Sequence, residues 1–270
     1  MSTKKLERTG ARALRPVAAL AAAVLGIAGA LPAQAQASPP GWQFELTNYI
    51  WGTALSGVTQ TGAVPATSVD VSFSDIFDVL DFAWSGLLEA RNGKWGVLTD
   101  IQYYKLSMGG TGSHTGSGGT LTTTVDITVK QTLLGVAGAY RVSDGLAPID
   151  LIGGVRYTKL DVEAEADFST IGLTGSNSRR GSKSWYDPFI GARVSYPFSD
   201  RWSATGYADI GGFGAGSKAT WQVSAGLQYR ISDKFSVKFG YRVLDVDYDE
   251  DGFKYDMKSD GVYLGLGVRF

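Results

Sequence analysis

Three stretches of the chain end in nearly the same way: AYRVSDG (139–145), SYPFSDR (195–201) and QYRISDK (228–234). Each reads Tyr-x-apolar-Ser-Asp, and the last two restart at once on an aromatic, Trp202 or Phe235. RNGK (91–94) is a fourth tight turn, ahead of Trp95, and its Asn-Gly pair suits a type I′ hairpin. Between such turns the chain has a period of two. In TWQVSAGLQYRIS one face takes Trp221, Val223, Ala225, Leu227, Tyr229 and Ile231, the other Gln222, Ser224, Gly226, Gln228 and Arg230. FSVKFGYRV repeats this, with Phe235, Val237, Phe239, Tyr241 and Val243 set against Ser236, Lys238, Gly240 and Arg242. A soluble sandwich alternates as well, so alternation alone does not decide the fold.

The order of the connections does decide it. Longer, polar, Gly-rich links lie between the tight turns: 57–81, GGTGSHTGSGG (109–119), TIGLTGSNSRRGSKS (170–184), GAGSK (214–218) and DEDGFKYD (249–256). The pattern predicts ten strands, near 42–55, 82–91, 95–108, 120–142, 148–168, 185–198, 202–213, 220–231, 235–248 and 258–270. Long and short connections alternate strictly, so every tight turn falls at the end that holds both termini. That layout belongs to an all-β, antiparallel transmembrane β-barrel, with eight or twelve strands as alternatives to ten. A Greek-key sandwich does not sort its connections by length. Tyr140, Tyr196, Tyr229, Trp202, Phe235 and Trp95 lie one to three residues from the tight turns and would form an aromatic girdle at the periplasmic interface.

Composition agrees. A chain of 270 residues fits one large all-β domain or two small ones. The absence of Cys excludes disulfides and thiol chemistry. With 19% charged residues, 12% aromatics and 36 Gly, it is poor in charge and rich in Gly for a soluble enzyme. Residues 1–37 read as a cleaved secretory signal peptide: Lys4, Lys5, Arg8, Arg12 and Arg15, an apolar run over 17–31, then small-x-small sites ending at Ala35 or Ala37. An uncleaved N-terminal anchor fits less well, because the run is short and a cleavage site follows it. That segment holds five of the 25 basic and one of the 26 acidic residues, so the barrel domain expected over 38–270 carries a net charge of −5. A nucleic-acid partner, which needs a basic face, is excluded.

The segments WYDPFIGARVSYPFSDRW, ADIGGFGAGSKATWQ and FGYRVLDVDYD, with VDVSFSDIFDVLD and EARNGKWGVLTDIQYYKL nearer the front, resemble a broad group of small bacterial outer-membrane β-barrel proteins of unassigned function. The resemblance runs from Trp42 to Phe270. It implies the fold and the bacterial outer membrane, and brings no reaction, substrate or catalytic residue. It also gives a meaning to the closing VYLGLGVRF (262–270), apolar at Val262, Leu264, Leu266, Val268 and Phe270. Proteins resembling this one commonly end on such an aromatic as a signal to the outer-membrane assembly machinery.

If the apolar set faces lipid, then Glu45, Glu89, Arg91, Asp100, Arg141, Arg156, Asp187, Arg193, Asp209, Arg230, Lys238, Arg242 and Arg269 face the lumen. A lone charge on the lipid face would cost about 2–4 kcal/mol at the midplane. Ten strands give a backbone radius on the order of 10 Å, which such side chains would largely fill. The lumen is then a plug of ion pairs, or a narrow solute path with slight anion preference, since eight of the thirteen groups are basic. SFSDIFDVLD (72–81), in the first outer link, predicts a short helix capped by Ser74 or Asp75, with Ile76, Val79 and Leu80 on one side. It would cover the outer mouth, fold inward as a constriction, or rest on the rim.

Catalytic readings find little support. A hydrolase of the Asp-His or Ser-His kind needs an oriented imidazole. The single histidine is His114, in TGSHTGSGG, which reads as a loop residue. An acid pair such as Asp100 with Asp209 has no further support. DVDYDEDG (245–252) opens like a calcium loop at Asp247, Asp249, Asp251 and Gly252, but its twelfth position is Lys258 in place of a bidentate Glu. Arg179, Arg180 and Lys183 form an outer basic cluster that would suit lipopolysaccharide phosphates. The expectation is a monomeric, non-enzymatic outer-membrane barrel without cofactor or metal, with a structural or surface-interaction role or a narrow passive pore. Its expected partners are outer-membrane lipids, lipopolysaccharide and the assembly machinery. An outer-membrane hydrolase (protease or lipid A-modifying enzyme) and a soluble periplasmic β-barrel binding protein are the alternatives.

Overall fold

A computed structural model describes residues 41–61, 66–116, 119–170 and 173–270. The expected signal peptide, 1–37, lies outside the described residues. The elements are β1 (Gln43–Thr61), β2 (Thr67–Val71), helix α1 (Phe73–Asp78), β3 (Leu80–Asn92), β4 (Trp95–Gly116), β5 (Gly119–Ser143), β6 (Ile149–Thr170), β7 (Leu173–Pro197), β8 (Trp202–Gly211), β9 (Ala219–Arg230), β10 (Phe235–Glu250) and β11 (Phe253–Arg269).

From β3 onward each strand pairs antiparallel with the next, and β11 returns to β1 from Glu45↔Arg269 to Thr61↔Phe253. Among the described residues the ring therefore has ten strands, β1 and β3 to β11, as the turn pattern predicts. Closure is obligatory, because hydrocarbon offers no water to an unpaired edge. Phe270 completes it. Its N–H donates to the Phe44 carbonyl at 3.0 Å, and its carbonyl accepts from the Phe44 N–H at 3.2 Å. The Phe270 ring stacks on Phe44, and Phe44 on Trp42, with centroids 5.8 and 6.4 Å apart. The expected girdle is present, with Trp95 against Tyr140 at 4.7 Å and Trp202 against Tyr229 at 4.9 Å.

The sequence reading needs four corrections. First, the links at 109–119 and 170–184 are not loops: β4 and β5 pair out to Gly116↔Gly119, and β6 and β7 to Thr170↔Leu173. β5 runs for 25 residues, whereas about 9–11 cross a bilayer. The rest stands in water, which removes the apolar alternation and leaves Thr–Thr pairs such as Thr111–Thr124 at 3.0 Å and Thr115–Thr120 at 2.9 Å. Secondly, DEDGFKYD is a tight hairpin, with positive φ at Asp251 (52°) and Gly252 (74°), the conformation that an Asp-Gly pair favours. Thirdly, the turn before Trp95 is centred on Gly93-Lys94, and only Gly93 has positive φ (56°). That is the pattern of type II′ in place of type I′.

The fourth concerns the first outer link. Ser72 caps α1, not Ser74 or Asp75: its hydroxyl accepts from the Asp75 N–H at 3.3 Å, while the Asp75 carboxylate accepts from the Ser72 N–H at 3.2 Å. Ser72 has Asp75 three residues on to complete this reciprocal box, whereas Ser74 has Phe77 at that place. The helix neither covers the mouth nor enters the lumen. β1 pairs with β3 only up to Tyr49↔Ser85, and β2 takes over the same edge of β1 from Leu55 to Thr59. The Phe73 ring packs over Gly52, on the outward face that Ile50 also occupies, and Ile76 is buried beneath the helix.

Along β10 and β11 the two faces of the sheet exchange character. Phe235, Phe239 and Tyr241 are exposed outward while Ser236 and Arg242 are buried inward. Past Val243 the outward positions become Asp245, Asp247 and Asp249, and the inward ones Leu244, Val246 and Tyr248, all buried. β11 mirrors this, with exposed Val262, Leu264 and Leu266 giving way to Asp260, Lys258 and Asp256, and buried Met257 and Tyr255 facing in. The part in the membrane is polar inside, and the arms beyond it are apolar inside.

Deleting Phe270 removes two main-chain bonds and a ring stack from the seam. We expect a several-fold lower yield of heat-modifiable, folded barrel in the outer membrane. An unchanged yield would show that the seam closes without it.

Candidate functional site

The lumen holds three tiers. The tier nearest the termini is ionic. Glu89 accepts both terminal nitrogens of Arg193, each at 2.7 Å. Arg91 bridges Glu89 at 3.1 Å and Asp150 at 2.7 Å. Asp150, 2% exposed, also accepts from Arg141 and Arg193, both at 2.9 Å. On the β1–β10–β11 wall, Glu45 accepts from Arg269 Nε at 2.6 Å and from Lys238, which also donates to Thr47 at 2.9 Å. Arg–carboxylate pairs of this forked kind are short and directional.

The middle tier is two separate networks. Arg242 donates to Asp100 (3.1 Å), Tyr49 (3.0 Å) and Gln222 (2.6 Å) and lies over the Trp51 ring at 4.7 Å. Tyr49 and Gln102 also donate to Asp100, at 2.6 and 3.1 Å. Arg156 donates to Asp209 at 2.7 Å and to Thr220 at 3.3 Å, and lies over Phe189 at 4.9 Å. Above them Asp187 accepts from the N–H and hydroxyl of Ser217 (2.6 and 2.8 Å) and from Trp185 Nε1 (3.1 Å), which fastens the β8–β9 link to the wall.

The third tier is apolar: Leu133, Leu160, Trp185, Leu244, Val246, Tyr248, Tyr255 and Met257 form one buried cluster, flanked by Trp51, Leu55 and Val69. A cavity of about 700 Å³ fills the space below it. Its lining runs from Gln43, Phe44, Gln228, Arg269 and Phe270 at the terminal rim to Gln102, Leu133 and Gln222 under the cluster, with small residues at Gly135, Ala137, Gly226 and Gly265. The side chains expected to fill the lumen leave this space open, because these small residues line it.

With that geometry in place the chain can be set beside known proteins. Residues 113–270, more than half of it, match the family model described as YfaZ precursor. The chain belongs to the YfaZ family. No curated protein matches it. Among solved structures it is similar to the translocator domain of the autotransporter NalP from Neisseria meningitidis (14% identity, 97% of each chain, TM-score 0.37). It is also similar to Ail, the attachment invasion locus protein of Yersinia pestis, in complex with the heparin analogue sucrose octasulfate (15% identity, 86% of this chain and 100% of that one, TM-score 0.34). A third is the outer membrane protease OmpT from Escherichia coli (10% identity, 89% and 99%, TM-score 0.43). The YfaZ match covers β5 to β11, and so most of the apolar cluster. The outward apolar belt and the closed ring make this YfaZ-family chain an integral protein of the bacterial outer membrane.

Of the thirteen charges expected in the lumen, twelve lie in these networks, while Arg230 is exposed at the rim. Asp150 escaped the sequence reading, although it shares the parity of Arg156 along β6. Gln222 was on the face expected inward, but Tyr49 and Gln102 escaped because neutral side chains carry no charge signal. Asp100 and Asp209 belong to different arginines and do not form an acid pair. His114 is not in a loop: it is an exposed strand residue of β4 opposite Leu121, away from the cavity. Two of the three acids of the calcium-like stretch are taken by lysines, Asp249 by Lys218 (2.6 Å) and Asp251 by Lys183 (2.8 Å). Among the described residues no three His, Asp or Glu side chains are grouped to hold a metal. The basic cluster is likewise shared out, Arg180 to Glu163 and Lys183 to Asp251.

Asp245 lies just above the apolar belt, with Asp247 on its own strand, Asp256 and its register partner Lys258 on β11, and Trp221 opposite on β9. Burial, then the charges of Asp256 and Asp247, push its carboxyl up to about 6. In the unfolded chain it would titrate near ~3.9, so the fold binds the extra proton between those values. The contribution of Asp245 to stability is therefore greatest at acid pH and is lost as pH rises through about 6. We expect Asp245→Asn to flatten this part of the pH profile in unfolding experiments; an unchanged slope would contradict the assignment.

Proposed function

We propose that the protein is a non-enzymatic, non-conducting monomer of the outer membrane. Its paired arms meet lipopolysaccharide and the outer surface, and its lumen opens only toward the periplasm. The observation that carries this reading is the apolar cluster. Trp185 of β7 stacks on Tyr248 of β10 at 4.2 Å and lies 5.8 Å from Tyr255 of β11. Tyr255 donates to Gln131 of β5 at 3.2 Å, which spans the barrel. β8 and β9 are short, and above them Lys183 of β7 meets Asp251 in the turn between β10 and β11. Ions need a continuous polar thread, and these cross-barrel contacts support the reading that there is none.

The rival readings have weaker support. A hydrolase needs a base, and His114 has no orienting partner in the lumen, while Asp100 and Asp209 are held by arginines. A soluble binding protein would not carry Leu264 and Leu266, each 61% exposed, in one outward belt. Monomeric closure leaves the ring without an edge, and the terminal aromatic strand is what the assembly machinery would take.

In planar bilayers the purified protein is expected to give no conductance steps, whereas a Trp185→Ala, Tyr248→Ala double variant is expected to open discrete ones. Steps from the unaltered protein would refute the closed reading and leave a pore.

A further inference from the structure

The outer rim of the apolar belt is not electrically uniform. On β3 to β7 the belt passes from exposed Val136, Val155 and Ile190 to a row of rings, Tyr157 against Tyr186 at 4.8 Å and Phe82 against Tyr103 at 6.0 Å. Just above the rings, on the same outward face, stand Lys105 of β4, Lys130 of β5 and Lys159 of β6. On β10 and β11 the same step brings Asp245, Asp247, Asp256 and Asp260, with Lys258 the register partner of Asp245. Within the basic row Lys105 and Lys130 are themselves register partners. Like charges directly opposite on one face destabilise a sheet, and an anion shared between them offsets the repulsion. The carboxylates nearby are engaged: Asp81 accepts from Lys105 at 2.6 Å, Asp161 from Lys159 at 2.9 Å, and Glu163 from Arg180 at 2.6 Å. Lys130 lies beside Asp161 in register but makes no ion pair among the described residues, so this patch has one cation over. The next acids outward on β5 and β6, Asp126 and its partner Glu165, are about 13 Å further along the strands. Next to Lys130 the outward face holds a groove of about 380 Å³, completed by Thr128, Asp161, Glu163, Arg180 and Ser182.

We propose that Lys130, with Lys105 beside it, holds the phosphate of an outer-leaflet glycolipid of the lipid A class. The sugar enters the groove and the acyl chains run down the apolar belt below. The height of the lysines selects this occupant: a phosphate whose acyl chains lie in the belt is delivered to them at high local concentration. Free phosphate gains no such delivery, and water and salt screen its attraction to exposed lysines. The aspartates of β10 and β11 repel the same headgroup, so the lipid is held on one side of the barrel. The inference rests on the contact with lipopolysaccharide proposed above. It moves the centre of that contact from the stretch of Arg179, Arg180 and Lys183 to the foot of the arms.

The test is native mass spectrometry of the folded protein in micelles with lipid A, with its fully dephosphorylated form, and with inorganic phosphate as competitor. Lipid A is expected to be retained and the dephosphorylated form to be lost, with no displacement by an equal concentration of inorganic phosphate. Lys130→Gln is expected to weaken retention about fivefold, the order of one cation beside an anionic lipid surface. Its thermal midpoint without lipid is expected to be unchanged or raised, because a like-charge pair is gone. That midpoint separates lost binding from lost folding. Arg179→Gln is expected to retain lipid A as the unaltered protein does. Equal retention of the two lipids, displacement by inorganic phosphate, or undiminished retention by folded Lys130→Gln protein would overturn the proposal. Loss in Arg179→Gln with retention in Lys130→Gln would overturn this site and leave the lipopolysaccharide contact itself standing.

Discussion

Everything in this molecule follows from the requirement that no main-chain N–H or C=O be left unpaired in hydrocarbon. The sheet meets it by returning β11 to β1, with Phe270 and Phe44 exchanging the last two bonds. Closure fixes a narrow ring, and a narrow ring brings long inward side chains within reach of partners on distant strands. That is why Arg193 of β7 reaches Glu89 of β3, and Arg242 of β10 reaches Asp100 of β4. Ion pairs withdrawn from water in this way are weak sources of stability, since desolvation offsets much of the attraction. Their clearer effect is to hold opposite walls in one arrangement around a cavity.

The second determinant is the change of solvent along each strand. The parity of β10 never shifts, yet its outward positions pass from Phe239 and Tyr241 to Asp245 and Asp247. The inward positions pass from Lys238 and Arg242 to Leu244 and Val246 over the same step. Within the bilayer the apolar side must face out; beyond it the arms meet water and, like a soluble barrel, bury their apolar side. The two cores meet end to end, and on the reading proposed here the apolar one closes the outer end of the polar one, which leaves the ionic tier at the open end.

Strand number, order and orientation were legible in the sequence, because the Tyr-x-apolar-Ser-Asp turns and the period of two mark the segments in lipid. The arms at 109–119 and 170–184 were not, since strands wetted on both faces carry Gly, Ser and Thr in place of an apolar stripe. The apolar tier was hidden for a related reason: FGYRVLDVDYD switches its apolar parity at Val243-Leu244, but alternation does not reveal which face is inside. The Ser72 cap was readable from its acid three residues on, but Ser74 and Asp75 competed with it. Which carboxylate each lumenal arginine takes depends on the stagger between distant strands, which no local pattern encodes.

The central claim is that the lumen opens at the end bearing the termini and is closed at the other. The chain has no Cys, so a single introduced thiol reports without background. In liposomes holding the protein in one orientation, established by labelling a His114→Cys control on the exposed arm, a Ser224→Cys thiol inside the cavity can be challenged from each side with a charged methanethiosulfonate. Modification only from the side opposite His114→Cys is the result this structure predicts. Modification of Ser224→Cys from the arm side at a comparable rate would contradict it.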